Sequence, residues 1–156
     1  MNLERKILIS HRGNINGKNE LLENNPDYIE VALSKGYDVE IDLWIENDGF
    51  YLGHDAPTYP ITLDWLIERS LKLWVHCKDL KTIEELKRLE YENGIYSIHY
   101  FFHNTDDTTI TSQGKLWVYP GKQPIEHSIA VMPEIHNEDV SKCIGICSDV
   151  IEKYNK

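Results

Sequence analysis

Short apolar runs alternate along this chain with stretches of helical period. Ile7-Leu8-Ile9 sits in a predicted strand over Lys6–Ser10, and a polar loop rich in Gly and Asn follows through Asn25. Pro26 suits the first position of a helix reaching about Ser34, which Gly36 ends. A second strand is predicted over Tyr37–Trp44, with an Asp48-Gly49 turn into Phe50–Gly53. Thr62 caps a helix holding Trp65 and Leu66, and Lys72–Cys77 is a third long strand. Ile83, Leu86 and Leu89 share one face of a helix near Lys81–Glu92, stopped by Gly94. Tyr96–Phe102, Leu116–Tyr119, Ile129–Met132 and Gly145–Cys147 read as further strands, and Glu138–Cys143 and Asp149–Tyr154 as helical.

Strands alternating with helices predict βα units around a parallel sheet. A complete (β/α)8 barrel takes about 250 residues, and this chain has 156. The expected fold is therefore α/β, a reduced or incomplete TIM-like barrel with mostly parallel strands. No repeat, linker or low-complexity stretch divides it, so residues 1–156 read as a single domain.

Composition changes the picture in two ways. Hydrophobic residues are 41% and charged residues 27%, ordinary for a soluble globular protein. No apolar run approaches the roughly 20 residues of a membrane span, and Ile7-Leu8-Ile9 is shorter than a signal-peptide core. The expectation is a cytoplasmic protein with no membrane insertion. The net charge of −10 repels phosphate backbones, which argues against nucleic acid as a partner. It also makes an anionic substrate awkward unless a cation sits in the site. Cys77, Cys143 and Cys147 contain no CxxC pair and read as reduced thiols.

The candidate chemistry starts with Val39-Glu40-Ile41-Asp42-Leu43. Alternation sends the three apolar side chains to one face and the two carboxylates to the other. If that face points into the sheet's interior, the carboxylates repel and lose solvation unless something positive lies between them. A hard divalent cation such as Mg²⁺ or Ca²⁺ meets that need with oxygen ligands. If the strand is antiparallel and half-exposed, the same residues simply face water. Strand one ends in His11-Arg12-Gly13, a proton carrier beside a bidentate phosphate clamp, where parallel α/β folds bind ligands. His54-Asp55 follows the short strand after Asp48-Gly49; alone the pair is common and means little, but a second imidazole near His11 would provide the acid and base that phosphodiester cleavage requires.

Taken together, His11-Arg12-Gly13, Glu23-Asn24-Asn25, Glu40-x-Asp42, Asp48-Gly49 and His54-Asp55 resemble the N-terminal signature of the glycerophosphodiester phosphodiesterases. The likeness covers about the first third of the chain, and Gly145-Ile146-Cys147-Ser148-Asp149 resembles that family's final strand. The resemblance implies His11 and His54 as the acid/base pair, with Arg12 and Lys78 on the phosphate. Glu23 would support Arg12 or the substrate, and Glu40 and Asp42 would hold a divalent metal ion. The family's third ligand, a glutamate, is replaced here by His76. Imidazole suits Zn²⁺, Mn²⁺ or Fe²⁺ better than Ca²⁺. Either His76 is the ligand and shifts the metal preference, or another group such as Glu134 completes the shell, or the metal is held weakly, and His76 also reads as a packed structural histidine.

The expected activity is metal-dependent hydrolysis of a small phosphodiester substrate. Two alternatives stand beside it: a lyase that stops at a cyclic phosphate, and a non-catalytic module that binds a phosphorylated ligand. His99, His103 and the aromatic residues around them read either as wall for a leaving group or as core. Trp44 reads as pocket lining or as packing. Asp106-Asp107 reads as a solvated turn. An incomplete barrel exposes sheet edges, so a homodimer is a further expectation.

Overall fold

The structure is a computed structural model and describes residues 5–156. Its strands are β1 (Ile7–His11), β2 (Asp38–Glu46), β3 (Gly49–Leu52), β4 (Tyr59–Ile61), β5 (Leu73–Cys77), β6 (Tyr100–Phe102), β7 (Thr108–Ile110), β8 (Leu116–Val118), β9 (Ser128–Val131) and β10 (Gly145–Ser148). Three α-helices accompany them: α1 (Pro26–Ser34), α2 (Leu63–Glu68) and α3 (Leu80–Asn93). The side chain of Asn25 caps α1 and that of Thr62 caps α2. Asp79 caps α3 through the amide of Thr82, and Gly94 closes it in the left-handed region at φ 66°.

The strands β6, β5, β2, β1, β10, β9 and β8 run side by side, all parallel to their neighbours. Antiparallel β3 and β4 extend from β2, and antiparallel β7 flanks β8. Trp74 on β5 and Trp117 on β8 are five strand steps apart, about 24 Å across a flat sheet. Their ring centroids are 5.6 Å apart, so the sheet curls back on itself. No β6–β8 ladder forms among the described residues. The turn after β7 pins the gap instead: Tyr100 N donates to Ser112 Oγ at 2.9 Å, and Ser112 N donates to the Tyr100 carbonyl at 2.7 Å.

Alternation along each strand divides the apolar residues between two cores. Val39, Ile41, Leu43, Val75, Cys77 and Ile146 pack outward beneath the helices, against residues such as Ile29, Leu66 and Leu86. Ile9, Trp74, Phe101, Trp117, Ile129, Val131 and Cys147 fill the inside of the curl. The parallel sheet follows the expectation. The rest of the alternation does not: among the described residues the three α-helices all fall before residue 95, and only short 3-10 turns at Pro133–Ile135 and Ile151–Tyr154 follow, so the strand-rich protein fits an incomplete (β/α) barrel only loosely.

Three local readings are corrected. Glu138–Cys143 is not helical. Its polar side chains bond elsewhere, with Glu138 accepting from the amides of Gly121 and Gln123 and Asp139 from that of Ser141. The strand expected over Tyr96–Phe102 shortens to its last three residues. Two short strands carry no strong apolar signal: β4, which holds Pro60 at a sheet edge, and β7. Asp106 and Asp107 are exposed, as expected of a turn. All three cysteines are free and buried. Among the described residues no helix is long and apolar enough to cross a membrane.

Candidate functional site

The parallel register places His11 opposite Glu40 and Asp42 opposite His76. Glu40 and Asp42 face the inside of the curl, 2% and 0% exposed, so the water-facing reading of this pair does not hold. Asp42 is the hub. Its Oδ2 accepts from Asn24 Nδ2 at 2.9 Å and lies 3.0 Å from Arg12 Nε and 3.5 Å from His54 Nδ1. Its Oδ1 lies 3.1 Å from His76 Nδ1 and 3.6 Å from Lys78 Nζ. Burial on its own raises this carboxyl, but contacts with His54 and His76 and the charges of Arg12 and Lys78 hold it well below the usual carboxylate range. Glu40 goes the other way, raised by burial and by the neighbouring Asp42 charge.

Arg12 and its loop are held by unusual backbone. Its φ is 58°, and its amide donates to the Glu40 carbonyl at 2.9 Å. That left-handed turn swings the guanidinium toward Glu23, whose Oε2 accepts from Nη1 at 2.9 Å. Gly13 follows at φ 95°, where an added Cβ would stand 2.7 Å from the Tyr28 ring. Asn24, also left-handed, receives the amide of Asp42 on Oδ1 at 2.9 Å while it donates to that residue's carboxylate. Both hydrogen bonds lock the loop to β2.

His11 is held from two sides. Its Nδ1 lies 2.7 Å from Asp149 Oδ1, and its Nε2 lies 3.6 Å from Glu40 Oε2. Burial lowers the proton affinity of this imidazole, but the Asp149 hydrogen bond and the Glu40 charge outweigh it, and the net shift is upward. Asn14 donates to Asp149 at 2.8 Å and accepts from the Tyr28 hydroxyl at 2.9 Å, which anchors that carboxylate in turn. His54 stands at the mouth with 45% of its side chain exposed. Trp44 packs beside it by donating to the Gly53 carbonyl at 2.6 Å.

His11, His54, His76 and His103 line one cleft of about 530 Å³, together with Arg12 and Lys78. Its far wall is aromatic: the His76 ring stacks on Phe101, and that of His103 on Tyr119 at 3.5 Å. Donor atoms of Glu40, Asp42 and His76 all lie within 4.8 Å of one another, close enough to share one cation. Glu40 Oε2 is buried with no hydrogen-bond partner, which is what such an ion would correct. Glu134 is not part of this group, since its oxygens accept from the hydroxyls of Ser148 and Tyr154. His99 is also outside the cleft, bonded to Thr111 at 2.5 Å.

Arg12, His54, His76 and Lys78 therefore meet directly around Asp42, with His11 reaching the cluster through Glu40 and Glu23 through Arg12, while Glu134 stands apart. Sequence reasoning missed Asn14 and Asn24 as site residues, and it left Asp149 without a role. The signals were thin: one asparagine directly after His11-Arg12-Gly13, another inside Glu23-Asn24-Asn25, and an acid directly after the last strand. Fold and site together define a mixed α/β protein with a buried carboxylate–imidazole cluster contacted by Arg12 and Lys78. In comparisons with known proteins, the chain matches no family model, no curated protein and no solved structure.

Proposed function

We propose that this chain is a small metal-dependent phosphodiesterase, a reduced (β/α) barrel of the glycerophosphodiester phosphodiesterase type. The observation that carries the reading is the convergence of His11 and His54 on one cleft lined by Glu40 and His76, whose donor atoms lie within 4.8 Å of those of buried Asp42. Four carboxylates (Glu23, Glu40, Asp42 and Asp149) face only two permanent cations, Arg12 and Lys78. A phosphodiester anion entering such a site requires further positive charge.

Glu40, Asp42 and His76 would hold that charge as a divalent ion, which when bound neutralises the phosphate and the charge growing on its oxygens. Arg12 and Lys78 bind the non-bridging oxygens and orient the phosphorus. His54, at the solvent mouth, takes the proton from an attacking water or a neighbouring substrate hydroxyl. His11, held between Asp149 and Glu40, delivers a proton to the leaving oxygen as its bond to phosphorus breaks. Attack by water yields a monoester directly, and attack by a hydroxyl passes through a cyclic phosphate.

The test is turnover of a glycerophosphodiester and of bis(p-nitrophenyl) phosphate by purified protein supplied with divalent ions, with products followed by phosphorus NMR. His11→Ala and His54→Ala are each expected to lower kcat by about 10²- to 10⁴-fold with the melting temperature retained. Undiminished turnover in the double variant refutes the assignment. A product that stays cyclic identifies a lyase.

A further inference from the structure

His76 is held in one orientation from three directions. Its place on β5 sets it beside Asp42, its ring lies on Phe101 with centroids 5.1 Å apart and planes 7° apart, and its Nε2 is 3.3 Å from the main-chain oxygen of His103. A carbonyl oxygen only accepts, so Nε2 carries the hydrogen. The other nitrogen, Nδ1, is thereby turned toward Asp42 Oδ1 at 3.1 Å and Glu40 Oε1 at 3.9 Å.

A bare nitrogen lone pair facing two carboxylates is repelled unless something positive stands between them. A proton on Nδ1 would satisfy Asp42 alone. It would leave Glu40 Oε2 as it is, buried and unpartnered, with its nearest imidazole nitrogen 3.6 Å away and beyond hydrogen-bond reach. One metal ion satisfies the nitrogen and both acids together. An imidazole whose second nitrogen is tied to a carbonyl is also the arrangement that orients histidine ligands in metal sites.

We propose that His76 presents Nδ1 as a nitrogen ligand, positioned by Phe101 and the His103 carbonyl, so that the site selects Mn²⁺, Fe²⁺ or Zn²⁺ over Ca²⁺ and Mg²⁺. The selectivity follows from the donor set. Ca²⁺ and Mg²⁺ favour shells of oxygen, whereas the borderline transition ions gain from imidazole nitrogen. This rests on the metal-dependent reading above and is independent of which diester is cleaved.

The experiment uses the full chain stripped of metal, titrated calorimetrically with Mn²⁺, Zn²⁺, Mg²⁺ and Ca²⁺, and pulsed EPR of the Mn²⁺ complex to detect bound nitrogen. The wild type is expected to bind Mn²⁺ and Zn²⁺ at least about tenfold more tightly than Ca²⁺ or Mg²⁺ and to show nitrogen coupling. His76→Glu is expected to abolish the coupling and to shrink that preference about tenfold, and His76→Gln serves if the glutamate variant fails to fold. Mn²⁺ bound without nitrogen coupling, no binding of any ion, or a preference unchanged by His76→Glu overturns the proposal. Nitrogen coupling in a protein that cleaves no diester sustains the metal assignment while the substrate reading falls. Diester cleavage without nitrogen coupling removes this inference alone.

Discussion

Nδ1 of His11 lies 2.7 Å from Oδ1 of Asp149, joining the last residue of β1 to the residue that follows β10. The two strands are parallel neighbours, so the contact is built by the sheet and not by a flexible loop. The carboxylate selects the tautomer that leaves Nε2 facing the cleft, and it favours the protonated ring. Asp149→Asn keeps an oxygen in place and removes the charge. We expect kcat to fall about 10²-fold with KM and the melting temperature little changed. Steady-state kinetics set beside a thermal melt will check this, and an equal loss in KM would mean that Asp149 acts on binding instead.

Gly53 carries the chain into His54 through a space that admits no side chain. A Cβ there would lie 1.9 Å from the Ala56 carbonyl oxygen and 2.9 Å from Thr58 Oγ1. The first of these is backbone and cannot swing aside. Gly53→Ala is expected to cost about 1–3 kcal/mol of stability and to displace His54, lowering turnover as well. Urea denaturation read together with kcat tests both effects, and wild-type activity would show that the loop has room to adjust.

Trp117 is 2% exposed and its ring lies 4.6 Å from that of Phe101, centroid to centroid. It fills the inside of the curl between strands that share no ladder. Trp117→Ala should cost about 3–5 kcal/mol in chemical denaturation. A cost under about 1 kcal/mol would show that the interior is not packed as described.

His99 provides the pH dependence. Burial, aided by the charge of Lys115, lowers its pKa to about 4. The unfolded chain holds an ordinary histidine near 6.5, so below that pH the unfolded state binds the proton first. Stability is therefore complete above pH 6.5, falls as the pH drops toward 4, and flattens beneath it with respect to this group. The loss approaches about 3 kcal/mol. Because carboxylates also titrate in that range, the measurement is the difference in urea-derived stability between wild type and His99→Gln at several pH values. Parallel curves for the two proteins would rule the role out.

Much of this architecture was readable from local pattern. Pro26 at the start of α1, the cap at Thr62, the stop at Gly94, and the strict alternation through Val39–Leu43 are short-range signals, and each marks its element. Strands β4 and β7 were not readable, because three residues with one proline or two threonines offer no periodicity to detect. The helix expected at Glu138–Cys143 failed for a tertiary reason: Glu138 serves two amides 15 and 17 positions away.

The order of residue types along the chain determined by itself which groups are available to a site, since a carboxylate pair on one strand face and imidazoles at strand ends are local facts of alternation and sequence. Only tertiary structure decided where they meet. Asp149 reaches His11 across 138 positions, His76 turns its Nδ1 inward because a carbonyl 27 positions later holds its other nitrogen, and Asn24 locks Asp42 from 18 positions before it. Those partners are chosen by strand register and by the curl of the sheet. Both depend on the packing of the whole interior, which no window of sequence contains.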